Sequence, residues 1–92
     1  MMLPALRQER SPNLVSVWVD GVRYWFSFES CIAFRVSGEE RVISENVWSA
    51  KTGRHLNLVG PKSDRIPHEE FLRRLEQVQA RRLTEAEAAR GR

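Results

Sequence analysis

Residues 14–28 read LVSVWVDGVRYWFSF, and this stretch decides the fold. Asp20-Gly21 between two apolar-rich runs is a two-residue type I′ turn signal, because both central positions need φ > 0 and these residues tolerate it. The turn sets the register: Val19 faces Val22, Val17 faces Tyr24 and Val15 faces Phe26. That face is continuously apolar and is expected to be core. The opposite face pairs Trp18 with Arg23 and Ser16 with Trp25. Two tryptophans and an arginine on that side point to a surface that is either covered or used for binding.

Working outward, residues 31–36 (CIAFRV) resume the strand pattern, with Ile32, Phe34 and Val36 expected on one face and Cys31, Ala33 and Arg35 on the other. Ser37-Gly38-Glu39-Glu40 has hairpin-loop composition, and residues 41–47 (RVISENV) read as a fourth, more polar strand suited to an edge. Short connections favour an antiparallel meander, since parallel pairing needs longer crossovers. Residues 48–60 fit no strand pattern and are expected to form a helical turn or structured loop, followed by a connector over residues 61–66. The clearest helix begins at Pro67, with Glu69-Glu70 in the first turn where the dipole favours anions. Phe71, Leu72, Leu75 and Val78 form its apolar stripe, and Leu83, Ala86 and Ala89 stay in phase. Thr84 and Glu87 spell a capping box, which leaves a break at Leu83 open. The expected fold is α+β: a four-stranded antiparallel sheet with one C-terminal amphipathic helix packed on its Val15/Val17/Tyr24/Phe26 face. Residues 1–12 read as a flexible arm, 13–88 as the single domain and 89–92 as a frayed tail. A core of only ~75 residues sits near the lower limit for independent stability, so dimerisation is a natural supplement.

The lone Cys31 excludes an internal disulfide and any zinc site built on paired thiolates. Inside a strand pattern it reads as a small buried hydrophobe. No signal peptide and no bilayer-spanning run is legible, so the protein is expected to be soluble and cytoplasmic, with no membrane partner. The net charge is +3; Lys51, Arg54, Lys62 and Arg65 against Asp64 account for all of it. Arginine dominates the basic residues; it clamps phosphate or carboxylate with two hydrogen bonds, though a GC-rich genome also encodes it by default.

Two surfaces carry the functional expectations. Trp18, Arg23 and Trp25 form an aromatic and basic sheet face of the kind on which bases stack while arginines meet phosphates, with Arg23 placed to lie over Trp18. An N-terminal arm or a symmetry mate covering those rings is the alternative. The basic segment of Lys51, Arg54, His55, Lys62 and Arg65 suits phosphate or an acidic protein surface; a plain solvated loop is the alternative. His55 has no carboxylate or cysteine at ligand spacing, so no metal is expected there, and His68 reads as solvent-facing. There is no nucleophile elbow, no acid for a triad and no glycine-rich phosphate loop, so neither catalysis nor a cofactor is expected.

Two strings then stand out. Residues 24–34 (YWFSFESCIAF) follow an aromatic-Ser-aromatic, spacer, Ile/Val-Ala pattern, and residues 46–57 (NVWSAKTGRHLN) follow N-x-W/Y-S-x-T/K-T-x-K/R-H-x-N. Together they resemble a group of small uncharacterised proteins carried by bacteriophages and other mobile elements, over about residues 22 to 75. The resemblance implies a small cytoplasmic protein of a bacterial host cell and no settled activity. It puts Ser49, Thr52, Arg54, His55 and Asn57 forward as a motif, for holding the loop or for binding. Glu29-Ser30-Cys31, where the pattern has a nearby Thr, departs from it. The expected function is that of a non-enzymatic accessory protein docking on a host protein, nucleoprotein complex or nucleic-acid enzyme, as an inhibitor of host defence of the anti-CRISPR type. The alternative is an RNA or single-stranded DNA binding module.

Overall fold

The computed structural model describes residues 5–9 and 11–90. Asp20 and Gly21 take φ of 50° and 80°, and the hairpin closes in the expected register, Val19 opposite Val22 through Val15 opposite Phe26. Its strands are β2 (Leu14–Val19) and β3 (Val22–Ser27), flanked by β1 (Ala5–Gln8), β4 (Ser30–Val36), β5 (Val42–Ser44) and β6 (Arg65–Ile66). The helices are α1 (Ala50–Val59) and α2 (His68–Arg90). The sheet order is β1-β2-β3-β4-β5-β6; β1 to β5 run antiparallel, and β6 is parallel to β5.

The fold is therefore α+β, but with a mixed six-stranded sheet and two helices where four antiparallel strands and one helix were expected. Each difference has a local cause. Ala5–Gln8, in the segment read as an arm, finds a full ladder along β2, from Ala5 opposite Trp18 to Gln8 opposite Val15. β6 is two residues long, too short to show a period. The crossover to it carries α1 and a 3₁₀ turn at Lys62–Asp64, which gives the length that parallel pairing requires. α2 runs unbroken past Leu83. The expected tail is thus helical as far as Arg90, and residues 91–92 lie outside the described chain.

Two cores form, one on each face. α1 covers Leu14, Trp25, Ile32, Ala33 and Ile43 with Leu56 and Val59, and Trp48 closes the edge. α2 covers Val22 and Phe34 with Phe71, flanked by Tyr24, Cys31, Leu75 and Val78. The face expected to be the main core is only partly covered: Val15, Val17, Val19 and Phe26 are half-buried. On the opposite face Trp25, read as a binding candidate, is sealed under α1. A bulge also shifts the β4 phase. Trp25 pairs with Ala33 and Phe26 with Cys31, so Ile32 is the extra residue; it joins Ala33 on the α1 side, while Cys31 joins Phe34. Burial pushes the Cys31 thiol up to about 11, so it stays protonated at neutral pH.

The end of α1 is packed to contact. Gly60, with extended backbone at φ −178°, leaves room for the Ile43 side chain: a Cβ there would lie 2.5 Å from Ile43 Cδ1. Gly60→Ala is expected to cost about 1–3 kcal/mol in urea unfolding through overpacking. Ile43→Val removes the clashing Cδ1, so the double variant should recover much of that loss. Simply additive losses would locate the damage elsewhere.

Candidate functional site

The residues of the 46–57 string build and hold α1. Asn46 Oδ1 accepts from Trp48 N (3.0 Å) while its Nδ2 donates to Ser49 O (2.9 Å). Ser49 caps the helix, its Oγ accepting from Thr52 N at 3.3 Å. Gly53 lets the Asn46 amide pass, since a Cβ would meet Nδ2 at 2.9 Å. One turn on, Thr52 and His55 face the sheet and are buried. Ser27 Oγ donates to Thr52 Oγ1 (3.1 Å) and lies 2.6 Å from His55 Nδ1, while His55 Nε2 lies 3.1 Å from Ser11 Oγ. Asn57 Oδ1 accepts from Arg65 Nη2 at 2.7 Å. The string's polar residues are thus spent on folding, apart from Lys51 and Arg54, which stay exposed.

Lys51, Arg54 and Leu58 follow one another at i, i+3 and i+7, so they line one flank of α1. At its N-terminal end Lys51 and Arg54 meet a cavity of about 290 Å³ completed by Ser11, Pro12, Asn13, Phe28 and His55. No carboxylate lines it among the described residues. Phe28 is 47% exposed and sits at φ 57°. An aromatic residue in the left-handed region stores about 1–3 kcal/mol and persists only where neighbours enforce it. The enforcement is visible: Phe28 N donates to Asn13 O at 2.8 Å, Asn13 itself has φ 66°, and the Phe28 ring centroid lies 5.5 Å from that of His55.

At the other end of the flank, Leu58 and Val59 border a recess of about 320 Å³ with Arg7, Glu9, Leu14, Arg23, Trp25 and Arg41. Glu9 Oε1 accepts from Ser16 Oγ (2.7 Å) and Arg23 Nη2 (2.5 Å). The Arg23 and Arg41 guanidiniums lie 4.5 and 4.9 Å from the Trp25 ring centroid, and Arg41 Nη1 donates to Val59 O (2.5 Å) at the carbonyl end of α1. Burial works to raise the Glu9 carboxyl, but the Ser16 and Arg23 hydrogen bonds and the charges of Arg23 and Arg7 outweigh it, leaving its pKa below the usual 4.5. A depressed folded pKa contributes stability that is present above the unfolded value and lost as pH falls through the folded one. Glu9→Gln should therefore narrow its stability gap to the native chain as pH falls below 4.5, read from urea midpoints across that range. A gap independent of pH would mean that the charge contributes nothing.

The sequence-derived candidates separate accordingly. Trp25 is only 3% exposed beneath α1, so base stacking on it is closed off. Trp18, 37% exposed, sits between Ala5 and Arg23 on the sheet, and Arg23 lies over Trp25, not over Trp18. Lys51, Arg54 and His55 do converge, but His55 is a buried hydrogen-bonding post 4% exposed. Lys62 projects from the 3₁₀ turn and Arg65 is tied to Asn57; neither reaches these cavities. The 51–65 segment is thus a helix and a turn, not one basic loop. His68, expected in solvent, is half-buried, its Nδ1 2.9 Å from Ser44 Oγ and its ring edge-on to Trp48. Sequence reasoning missed Phe28, Arg7 and Arg41. For Phe28 there was a signal: a large aromatic in the two-residue break between strands.

Among the described residues no group of three His, Cys, Asp or Glu could hold a metal ion, and no helix is long and apolar enough to cross a membrane. The model of a family of unknown function (DUF8033) matches residues 5–73, from β1 into the first turns of α2, and the chain belongs to that family. No curated protein and no solved structure matches it.

Proposed function

We propose that this family member is a non-enzymatic module that binds single-stranded RNA or DNA along the flank of α1. The Phe28 ring takes a base, and Lys51 and Arg54 meet the phosphates. One observation carries the reading: a strained, half-exposed aromatic ring held beside two cations in a cavity that no carboxylate lines among the described residues. Rings supply sequence-tolerant stacking and cations track the backbone, which is how sequence-independent single-strand binders divide the work. The Trp18/Trp25 face of the sequence reading gives way to Phe28 because α1 covers Trp25.

Calorimetric titration with octathymidylate and octauridylate tests this. Binding is expected to weaken with salt at a log–log slope of about −1.4, for two neutralised phosphates of a single strand. Phe28→Asn separates function from folding, since asparagine tolerates positive φ. It should leave the fold intact while weakening binding by about tenfold or more, the loss of one stacked base. No binding at moderate salt, or unchanged affinity in Phe28→Asn, would defeat the proposal.

Docking on a host protein or nucleoprotein, as an inhibitor of host defence in the cytoplasm of a phage-bearing cell, is the second reading. What favours it is the partly open apolar face over β1–β3, where Leu6 is 72% exposed beside half-buried Val15, Val17 and Phe26.

A further inference from the structure

The flank of α1 does not end at the Phe28 cavity. It leads to the recess of Arg7, Arg23 and Arg41, whose charges do not cancel. Three guanidiniums face one carboxylate, Glu9, and that carboxylate is already held by Ser16 and Arg23. Arg23 Nε is buried and meets no acceptor among the described residues. A buried donor without a partner marks a place where an acceptor is missing. Arg7 is exposed, and Arg41 gives one of its five N–H donors to Val59 O.

What lies past Arg41 decides which anion fits. The next cavity shares Arg41 and Val59 with the recess, but there Glu39, Glu40 and Asp64 match Arg35, Arg41 and Arg74 one for one. A polyanionic strand running on would gain no net positive charge there, whereas one that stops in the recess meets an excess of two guanidiniums among the described residues. We propose that the recess takes the terminal phosphate of the bound strand, so that the protein recognises a phosphorylated end. This rests on the groove reading above. A terminal phosphate monoester carries about −1.5 to −2 charges at neutral pH, matching the uncompensated guanidiniums, whereas an internal phosphodiester carries one. Arginine forks suit its oxygens geometrically.

The test is calorimetric titration of the full chain with octathymidylate bearing a 5′-phosphate, a 3′-phosphate or neither, and separately with inorganic phosphate. One phosphorylated strand is expected to bind about tenfold tighter than the unphosphorylated one. Arg7→Ala, on an exposed edge-strand side chain, should erase that gain without weakening the unphosphorylated strand to match. Phe28→Asn should weaken all three strands alike. Equal gains from either end mark added charge alone and overturn the recess, as does a bound strand indifferent to phosphorylation; the groove reading survives both. If no strand binds, the groove reading falls. Inorganic phosphate then decides the recess: binding heat abolished by Arg7→Ala upholds the phosphate site, and its absence overturns it.

Discussion

Trp25→Ala is expected to lower the free energy of unfolding by about 3–5 kcal/mol, the range for truncating a large buried aromatic. Trp18→Ala, on the same face of the same hairpin, is expected to cost about 1 kcal/mol or less, because its ring stands at the surface. The difference follows from what covers each ring. Trp25 is sealed under α1 against Leu14, Ile32, Ala33, Leu56 and Val59, and two guanidiniums lie over it. Its loss empties the centre of the α1 core and withdraws the surface against which Arg23 and Arg41 are arranged. Trp18 is 37% exposed near the sheet edge and belongs to neither core cluster. Urea unfolding curves of the two variants at one pH measure both numbers. Near-equal losses would mean that α1 does not lie on this face.

The hairpin was legible because its information is local: Asp20-Gly21 alone fixes which residues oppose which. Which face a helix covers is not local information. The Val15/Val17/Tyr24/Phe26 side reads as core because it is apolar throughout, yet one helix about 10 Å wide cannot span six strands set about 4.8 Å apart. α2 therefore seals the Val22/Phe34 half and leaves the β1–β2 half partly open. α1 was legible only as a helical turn or structured loop, for a different reason. Two of its four buried residues, Thr52 and His55, are polar, and they are satisfied by Ser27 from a strand 25 and 28 residues earlier, so the helix never shows a clean apolar stripe. The Ile32 bulge inverts the strand phase without any glycine to announce it. The candidate site was legible to the extent that Lys51 and Arg54 were singled out. Phe28, Arg7 and Arg41 join them only through a turn, an edge ladder and a hydrogen bond to the end of α1, none of which has a sequence period.

Phe71→Ala is expected to cost about 3–5 kcal/mol and to strip amide-exchange protection from α2 before α1. Phe71 is the one fully buried side chain that α2 contributes among the described residues; it stands on Phe34 with ring centroids 5.6 Å apart and beside His68 at 6.2 Å. The rest of the described helix holds less firmly. Leu75 and Val78 are half-buried, Leu72 is 44% exposed, and the Glu70 pairs with Arg73 and Arg74 are surface ion pairs worth little in water. Phe26→Ala, on the same face but beyond the reach of α2, is expected to cost clearly less, because its ring already meets solvent. Denaturation of both variants at two protein concentrations completes the argument. A Phe26→Ala loss that matches Phe71→Ala and grows with concentration would mean that a second copy of the chain covers the β1–β3 half of the sheet. A small, concentration-independent loss leaves that half-face free for another partner.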